Sequence, residues 1–194
     1  ICDESLLAKR IVTGDVSVAE EFLREALDAG HEGIMAKSPK SNYTPGVRGK
    51  KWFKIKPADR LDLAIIAADW GYGRRTGWLS NYHLAARDET SEDFLMVGKT
   101  FKGLTDEEFI EMTRNLLSLK ISEDEYTVRV KPNIVVEVAY NEIQKSPQYA
   151  SGLALRFARI VRIREDKSVK DIDSIQRLRD LYRKQFEHKA ELSL

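Results

Sequence analysis

The chain has 194 residues and a formal net charge of +1, since 32 lysines and arginines nearly balance 31 aspartates and glutamates. Hydrophobic residues make up 42% and charged residues 32%, a composition typical of globular proteins. No apolar run approaches the roughly 20 residues that a membrane-spanning helix needs, so we expect no membrane partner. The single cysteine, Cys2, excludes an intrachain disulfide, and the three scattered histidines show no zinc-ligand spacing.

A capping-box pattern opens the first predicted helix. Ser17 and Glu20 have the spacing at which two side chains bond to the unpaired N–H groups of a helix start, which predicts a helix over residues 18–29. Short strands are predicted after it at residues 33–37 and 51–56. One helix and two strands do not complete a sheet, so we expect this part to be partly exposed, or to pack against a second copy of the chain or against the following domain.

Pro57 separates two parts of the sequence, because it ends one strand pattern just before another begins. We therefore predict a hinge at residues 58–60. It would join a first domain over residues 1–57 to a second over residues 61–194.

The second domain has the pattern of a small β-barrel. Alternating and apolar segments predict strands at residues 61–70, 78–87, 94–101, 126–130, 134–140 and 155–163. A second capping box at Thr105 and Glu108 predicts a central helix, and apolar spacing predicts a terminal helix over residues 174–189. Five or six strands with one central helix fit a Greek-key barrel of the OB type, but an SH3-like barrel or an α+β sandwich has the same pattern.

Three charged residues of the first part could bind a phosphorylated ligand. Lys54 and Lys56 are two residues apart on a predicted strand, so their ammonium groups point to one face, where a phosphate would relieve their repulsion. Glu32 could hold a hard cation such as Mg²⁺, which prefers oxygen ligands. The local sequence alone favours plainer alternatives, a solvated basic face and a surface carboxylate, with Met35 in a core.

A basic run near the C-terminus could bind nucleic acid. Arg156 and Arg159 flank Phe157; arginines bind DNA phosphates, and an aromatic ring can wedge against bases in a groove. An ordinary strand with Phe157 in the core fits the local sequence equally well. The run continues with three further cations, Arg162, Arg164 and Lys167. They could bind a polyphosphate, or form the weak salt bridges common on surface strands.

Three blocks of the sequence resemble motifs of the covalent nucleotidyltransferases. EGIMAK at residues 32–37 is similar to motif IV, KWFKIK at 51–56 to motif V, and LRFARIVRIREDK at 155–167 to the OB-domain stretch ending in motif VI. The resemblance is strongest to archaeal and eukaryotic ATP-dependent DNA ligases. Residues 135–147 and 181–184 also resemble the sequences of this branch. Because the blocks keep the family's order over essentially the whole chain, together they are far more specific than any one alone.

This resemblance implies a mixed, mainly β fold: a fragment of the antiparallel nucleotidyltransferase sheet with one helix, followed by an OB-fold barrel with a C-terminal helix. It implies ATP and Mg²⁺ as cofactors and nicked duplex DNA as a partner. The implied roles are metal binding for Glu32, adenine packing for Met35, catalytic phosphate contacts for Lys54 and Lys56, DNA contacts for Arg156, Phe157 and Arg159, and contacts with the β and γ phosphates of ATP for Arg162, Arg164 and Lys167. The family often has proline where Ala158 stands, and we expect the contacts to tolerate this difference.

One family motif is absent from the 194 residues, the Lys-x-Asp-Gly segment that carries the nucleophilic lysine. The chain also starts with Ile1, so we interpret it as the C-terminal part of a ligase, without its N-terminal domains and inactive in self-adenylation. The whole enzyme would seal nicks during DNA replication, repair and recombination. It would act in the cytoplasm or nucleoid, or in a nucleus. A sliding clamp could bind the part of the enzyme that is missing here. The alternatives are an OB module that only binds nucleic acid, and an RNA ligase or capping-type nucleotidyltransferase.

Overall fold

The computed structural model describes residues 7–42, 49, 51–57 and 59–191, with side chains described up to residue 185. The chain divides into two compact units, Ile1–Pro57 and Ala58–Leu194. Asp59 and Arg60, which belong to the predicted hinge, lie in the first strand of the second unit. The hinge itself stays a prediction. Within the described residues, no helix has the length and apolar character needed to cross a membrane.

The first unit contains one helix and a two-stranded antiparallel sheet, namely α1 (Val16–Asp28), β1 (Ile34–Lys37) and β2 (Trp52–Ile55). The predicted position of its capping box is wrong. The carboxylate of Asp15, rather than the Ser17 hydroxyl, caps the helix and accepts the Ser17 main-chain N–H at 2.8 Å. No residue of α1 is buried, as expected for a part that does not complete its own sheet.

The second unit is an antiparallel β-structure with two helices. Its elements are β3 (Asp59–Trp70), β4 (Leu79–Arg87), β5 (Phe94–Thr100), α2 (Asp106–Ser118), β6 (Lys120–Glu123), β7 (Thr127–Val130), β8 (Val135–Tyr140), β9 (Glu142–Lys145), β10 (Leu153–Arg156), β11 (Arg159–Ile163) and α3 (Ile175–Glu191). Paired strands follow the order β11-β8-β3-β4-β5, with β7 between β3 and β6, while β9 pairs with β10. The sequence did not predict β6 and β9, because four residues are too few for a clear alternation.

The mainly β class is confirmed, and the two end strands of the sheet, β5 and β11, approach each other at a seam. No strand ladder joins them in the described residues, so continuous pairing does not close a barrel. Two hydrogen bonds cross instead: Ile160 N–H donates to the Lys102 carbonyl at 2.9 Å, and the Thr100 hydroxyl donates to the Ala158 carbonyl at 2.7 Å. Gly103 belongs to this β5–β11 seam, with φ of +108°.

The helix α2 is fixed at its N-terminus and by an aromatic contact. The Thr105 hydroxyl accepts the Glu108 N–H, and the Glu108 carboxylate accepts the Thr105 N–H, so this predicted capping box is confirmed. Phe109 is fully buried, and its ring stacks on that of Tyr82 with 5.8 Å between centroids. The guanidinium carbon of Arg75 lies 4.0 Å from the Phe109 centroid. The helix therefore covers the core of the second unit.

The side chain of Gln185 joins the terminal helix α3 to β9. Gln185 accepts the Ile143 main-chain N–H at 2.9 Å through Oε1, and donates to the Ile143 carbonyl at 3.0 Å through Nε2. Ile175 and Leu178 of the same helix are fully buried in the core. Apolar burial and this two-bond contact together hold α3 against the β-structure.

A polar cluster centred on Asp69 links four strands of the second unit. The carboxylate of Asp69 accepts hydrogen bonds from Thr127 Oγ1 at 2.6 Å, Asn81 Nδ2 at 2.9 Å and Lys99 Nζ at 2.9 Å. The His83 Nε2 atom lies 2.7 Å from the same carboxylate, and the His83 side chain is only 12% exposed. Because these groups come from β3, β4, β5 and β7, the cluster ties the sheet together.

This cluster predicts a pH-dependent stability. Burial, partly offset by the Asp69 carboxylate, lowers the pKa of His83 below its ordinary value of 6.5. The unfolded chain therefore takes up the proton first as the pH falls through 6.5, and stability that is fully present above this pH is lost below it. We expect Tm to fall between pH 8 and pH 5, and to fall less in His83→Gln than in His31→Gln or the parent chain. Equal slopes in all three would contradict the prediction.

Candidate functional site

The strands β1 and β2 bring three predicted site residues to one face. Met35 pairs directly with Lys54 in the antiparallel register, and Lys56 follows two residues later on the same side. Gly33 precedes β1 with φ of +145°, and a Cβ there would lie 2.1 Å from the Ile55 carbonyl oxygen. Only glycine allows this close approach, which sets Glu32 beside the end of β2.

Glu32 lies between the two lysines. Its Oε2 atom accepts hydrogen bonds from Lys54 Nζ at 3.0 Å and Lys56 Nζ at 2.6 Å. The bond from Lys56, followed by that from Lys54, lowers the pKa of Glu32 to about 2. The carboxylate thus relieves the repulsion between the two ammonium groups and stays ionised at neutral pH.

Met35 is not a core residue, because half of its surface is exposed (50%). This corrects the local expectation that the thioether would be buried. An exposed, polarizable side chain next to Lys54 gives a flat ligand an apolar surface beside a cation. The predicted metal, phosphate and adenine contacts therefore lie together in the first unit.

Phe157 lies in a two-residue turn and is exposed. The predicted continuous strand over residues 155–163 is wrong, because Phe157 has φ of +55° and interrupts it between β10 and β11. A left-handed conformation costs a residue other than glycine about 1–2 kcal/mol. The ring is 62% exposed rather than in the core, and the Arg156 guanidinium carbon lies 5.1 Å from its centroid. The turn therefore presents an aromatic ring to solvent beside a cation.

A β-bulge brings the arginines of β11 to one side. The register with β8 pairs Arg159 with Ala139 and Arg162 with Glu137, and it shifts between them at residue 161. On the other side of β8, Arg60 of β3 also pairs with Ala139. The side of β3, β8 and β11 that carries these three arginines and Glu137 is called the arginine face below. It joins a predicted DNA-binding residue to a predicted nucleotide-binding residue.

The sequence did not reveal that Arg60 and Glu137 belong to this face. The Arg60 NH1 atom donates to Glu137 Oε1 at 2.6 Å, and Arg162 Nε donates to Glu137 Oε2 at 2.7 Å. The two arginines, Arg162 first, lower the pKa of Glu137. The register that brings Arg60, Glu137 and Arg162 together could not be predicted from the sequence, because β3, β8 and β11 are far apart along the chain.

The three cations of the second unit that were predicted to bind the nucleotide, Arg162, Arg164 and Lys167, lie close together, and each is paired with a carboxylate. Arg164 donates to Asp62 at 3.1 and 3.2 Å and to both oxygens of Asp166, and its side chain is 12% exposed. Lys167 Nζ donates to Asp62 at 2.6 Å. Beside these pairs is a cavity of about 340 Å³, lined by Arg60, Leu61, Asp62, Glu137, Arg164, Lys167, Asp171, Asp173 and Arg177. An anion bound here would compete with carboxylates already in place.

Two protein-family models match the chain, one in each compact unit. The model described as ATP dependent DNA ligase domain matches residues 2–56. The model described as ATP dependent DNA ligase C terminal region matches residues 75–167. The two matches occur in the same order as the motifs. The first includes the candidate residues from Glu32 to Lys56, and the second includes those from Arg156 to Lys167.

Curated relatives carry the same family name. "DNA ligase 1" from Korarchaeum cryptofilum is 55% identical over 183 residues, which cover 94% of this chain and 34% of that protein. "Probable DNA ligase" from Anaeromyxobacter sp. is 52% identical over 174 residues, covering 89% of this chain and 34% of that protein. "DNA ligase" from Thermococcus onnurineus is 50% identical over 185 residues, covering 95% and 33%. The chain spans about a third of the length of the curated relatives it matches.

Solved structures with a similar fold include the one named Pmar-Lig_PreS3, with a TM-score of 0.57 at 22% identity over 76% of this chain and 30% of that chain. The ligase domain from M. tuberculosis LigD gives a TM-score of 0.50 at 23% identity, over 79% and 50%. These likenesses show the fold alone. The two family models and the relatives at 50–55% identity establish that the chain belongs to the ATP-dependent DNA ligase family.

Proposed function

We propose that the protein to which this chain belongs seals nicks in duplex DNA through enzyme-AMP and DNA-adenylate intermediates, with ATP as the nucleotide. Family membership supports the reaction class. The nucleophilic lysine would come from outside these 194 residues, which contain no Lys-x-Asp-Gly segment. This chain would contribute contacts to metal, phosphate and DNA. The protein would act in the cytoplasm or nucleoid, or in a nucleus, and a sliding clamp could bind a part of it outside these residues.

The first unit would hold a phosphate and a divalent cation by exchanging ion pairs. Mg²⁺ usually binds through one or two carboxylates together with water and substrate phosphates, so a single carboxylate from Glu32 fits the ion only when a phosphate is present. An incoming phosphate would pair with Lys54 and Lys56, which would release Glu32 Oε2 for the cation. The bound cation would neutralise charge on the phosphate. Met35 would pack against the adenine ring.

The exposed Phe157 turn carries the proposal for DNA. A ring that is 62% exposed, on a strained turn between two arginines, contributes little to the core and is positioned to contact a ligand. Arginines bind backbone phosphates, while an apolar ring can press between base steps from the minor groove. Arg156 and Arg159 would therefore hold the duplex while Phe157 contacts its bases.

The test compares binding of the chain to a nicked duplex and to single-stranded DNA of equal length, by fluorescence anisotropy across a salt series. We expect preference for the nicked duplex and a steep salt dependence. Phe157→Ala should weaken binding to the nicked duplex about tenfold, the scale of losing one aromatic contact with a base. Its Tm should stay close to that of the parent chain, because the ring is mostly exposed.

Tyr126→Ala is the matched control, since Tyr126 is 55% exposed in the same unit between β6 and β7. We expect it to leave DNA affinity unchanged. Equal or stronger binding to single strands, with no effect of Phe157→Ala, would instead support a general nucleic-acid-binding OB module. A preference for a nicked RNA duplex would support the RNA ligase alternative.

A further inference from the structure

A buried carboxylate holds two exposed arginines in place on the arginine face. The side chain of Glu137 is 7% exposed, whereas those of Arg60 and Arg162 are 61% and 60% exposed. The arginines belong to β3 and β11, on opposite sides of β8, so their backbones are about 10 Å apart. Their long side chains both reach Glu137, where Arg60 binds Oε1 and Arg162 binds Oε2.

Both arginine side chains are mostly exposed, and each keeps N–H donors that Glu137 does not bind. A guanidinium carries five N–H donors, and Glu137 binds one nitrogen of Arg60 and one of Arg162. Arginines held in this way are suited to phosphate oxygens, which accept two parallel N–H bonds from the planar group. Arg164 differs, because it is 12% exposed, donates to Asp62 and Asp166, and also has its NH1 atom 3.7 Å from Glu137 Oε2, so carboxylates already surround its charge.

We propose that Arg60 is a phosphate-binding residue that acts with Arg162 as a pair, and that Glu137 is the positioning residue of this pair. The ligand is a phosphate group, supplied either by a nucleotide's polyphosphate or by the DNA backbone. The inference rests on the proposed function, because that function is what supplies ATP and DNA as the two sources of phosphate. Arg159, on the same side of β11, extends the positive surface toward the Phe157 turn. Arg60 thereby links the predicted nucleotide and DNA contacts of the second unit.

The test measures binding of the 194-residue chain to two separate probes, inorganic tripolyphosphate by calorimetry and an intact duplex by anisotropy across a salt series. We expect Arg60→Gln to weaken binding by about fivefold to tenfold for whichever of the two probes represents the natural phosphate ligand. Arg60→Lys should have an intermediate effect. For DNA, the slope of log affinity against log salt should become less steep by about one. A loss confined to tripolyphosphate identifies the nucleotide as the source, and a loss confined to DNA identifies the backbone.

Arg129→Gln is the matched control, because Arg129 is 57% exposed, pairs with a carboxylate (Asp124) and lies on β7 of the same unit. It should change neither affinity. Equal binding of both probes by Arg60→Gln and the parent chain overturns the inference, while the preference for a nick, measured separately, decides the proposed function. Failure of the parent chain to bind either probe overturns the inference about Arg60 as well.

The positioning role of Glu137 has an independent readout. A carboxylate that only repelled anions would make Glu137→Gln bind the probe more tightly, since one negative charge is removed. A positioning carboxylate predicts the opposite, weaker binding at a temperature where the variant remains folded, with recovery in Glu137→Asp. Tighter binding by Glu137→Gln would overturn this role.

Discussion

Gly103→Ala is expected to lower the free energy of unfolding of the second unit by about 3 kcal/mol. At φ of +108°, a side chain at residue 103 is strained whatever space surrounds it. Space is lacking as well, because a Cβ would lie 1.8 Å from the Ile160 carbonyl oxygen and 2.7 Å from its carbon. The backbone must move apart, and the hydrogen bond from Ile160 to Lys102 in the β5–β11 seam is lost with it.

Gly98→Ala provides the control for Gly103→Ala. The Cβ of an alanine at 98 would meet the nearest atom, in the Leu155 side chain, at 3.6 Å, which is ordinary contact. We expect this change to alter the unfolding free energy by less than about 1 kcal/mol. Urea unfolding followed by far-UV circular dichroism distinguishes the two variants, and similar midpoints would contradict the role of the seam. Because the seam borders the Phe157 turn, Gly103→Ala should also weaken DNA binding where it remains folded.

Phe109→Ala is expected to lower the free energy of unfolding by about 3–5 kcal/mol, the usual cost of removing a buried aromatic ring. Phe109 has no exposed surface, and its loss removes the ring stacked on Tyr82 and the ring face beneath Arg75. The cavity would lie between α2 and β4, where the helix covers the core. Affinity for DNA should change little in the variant that remains folded, because Phe109 is not exposed.

The adjacent Ile110 supplies the comparison for Phe109. Ile110 is 36% exposed on the same helix, so Ile110→Ala should cost about 1 kcal/mol or less. Urea unfolding followed by tryptophan fluorescence reports on the second unit through Trp70 and Trp78, which pack against its core. A loss for Phe109→Ala no larger than that for Ile110→Ala would contradict the placement of this ring.

The sequence predicted what depends on local bonding. Thr105 and Glu108 form the expected reciprocal bonds, because a capping box needs only residues three positions apart. The same pattern at Ser17 and Glu20 misled, because Asp15 lies two residues earlier and its carboxylate accepts the Ser17 N–H that the predicted box would have used. Local spacing therefore fixes that a helix starts, while competing caps decide where.

The candidate sites were predictable in part. The convergence of Glu32 with Lys54 and Lys56 required the register of β1 and β2, which the motifs only implied. The turn at Phe157 contains none of the residues that usually indicate a turn, such as glycine, proline or asparagine. Its left-handed backbone could therefore not be predicted from the sequence. The place of Arg60 on the arginine face depends on cross-strand pairing between distant segments. These features belong to tertiary structure, which local patterns do not determine.

The two hydrogen bonds between Gln185 and Ile143 affect whether the protein self-associates at high concentration. A strand edge with unpaired N–H and C=O groups can recruit a strand from another molecule. The Gln185 amide takes both main-chain groups of Ile143 and so substitutes for a neighbouring strand at that position of β9. A preparation shortened to end before Gln185 would uncover this edge, and its defect would be self-association and precipitation rather than altered chemistry.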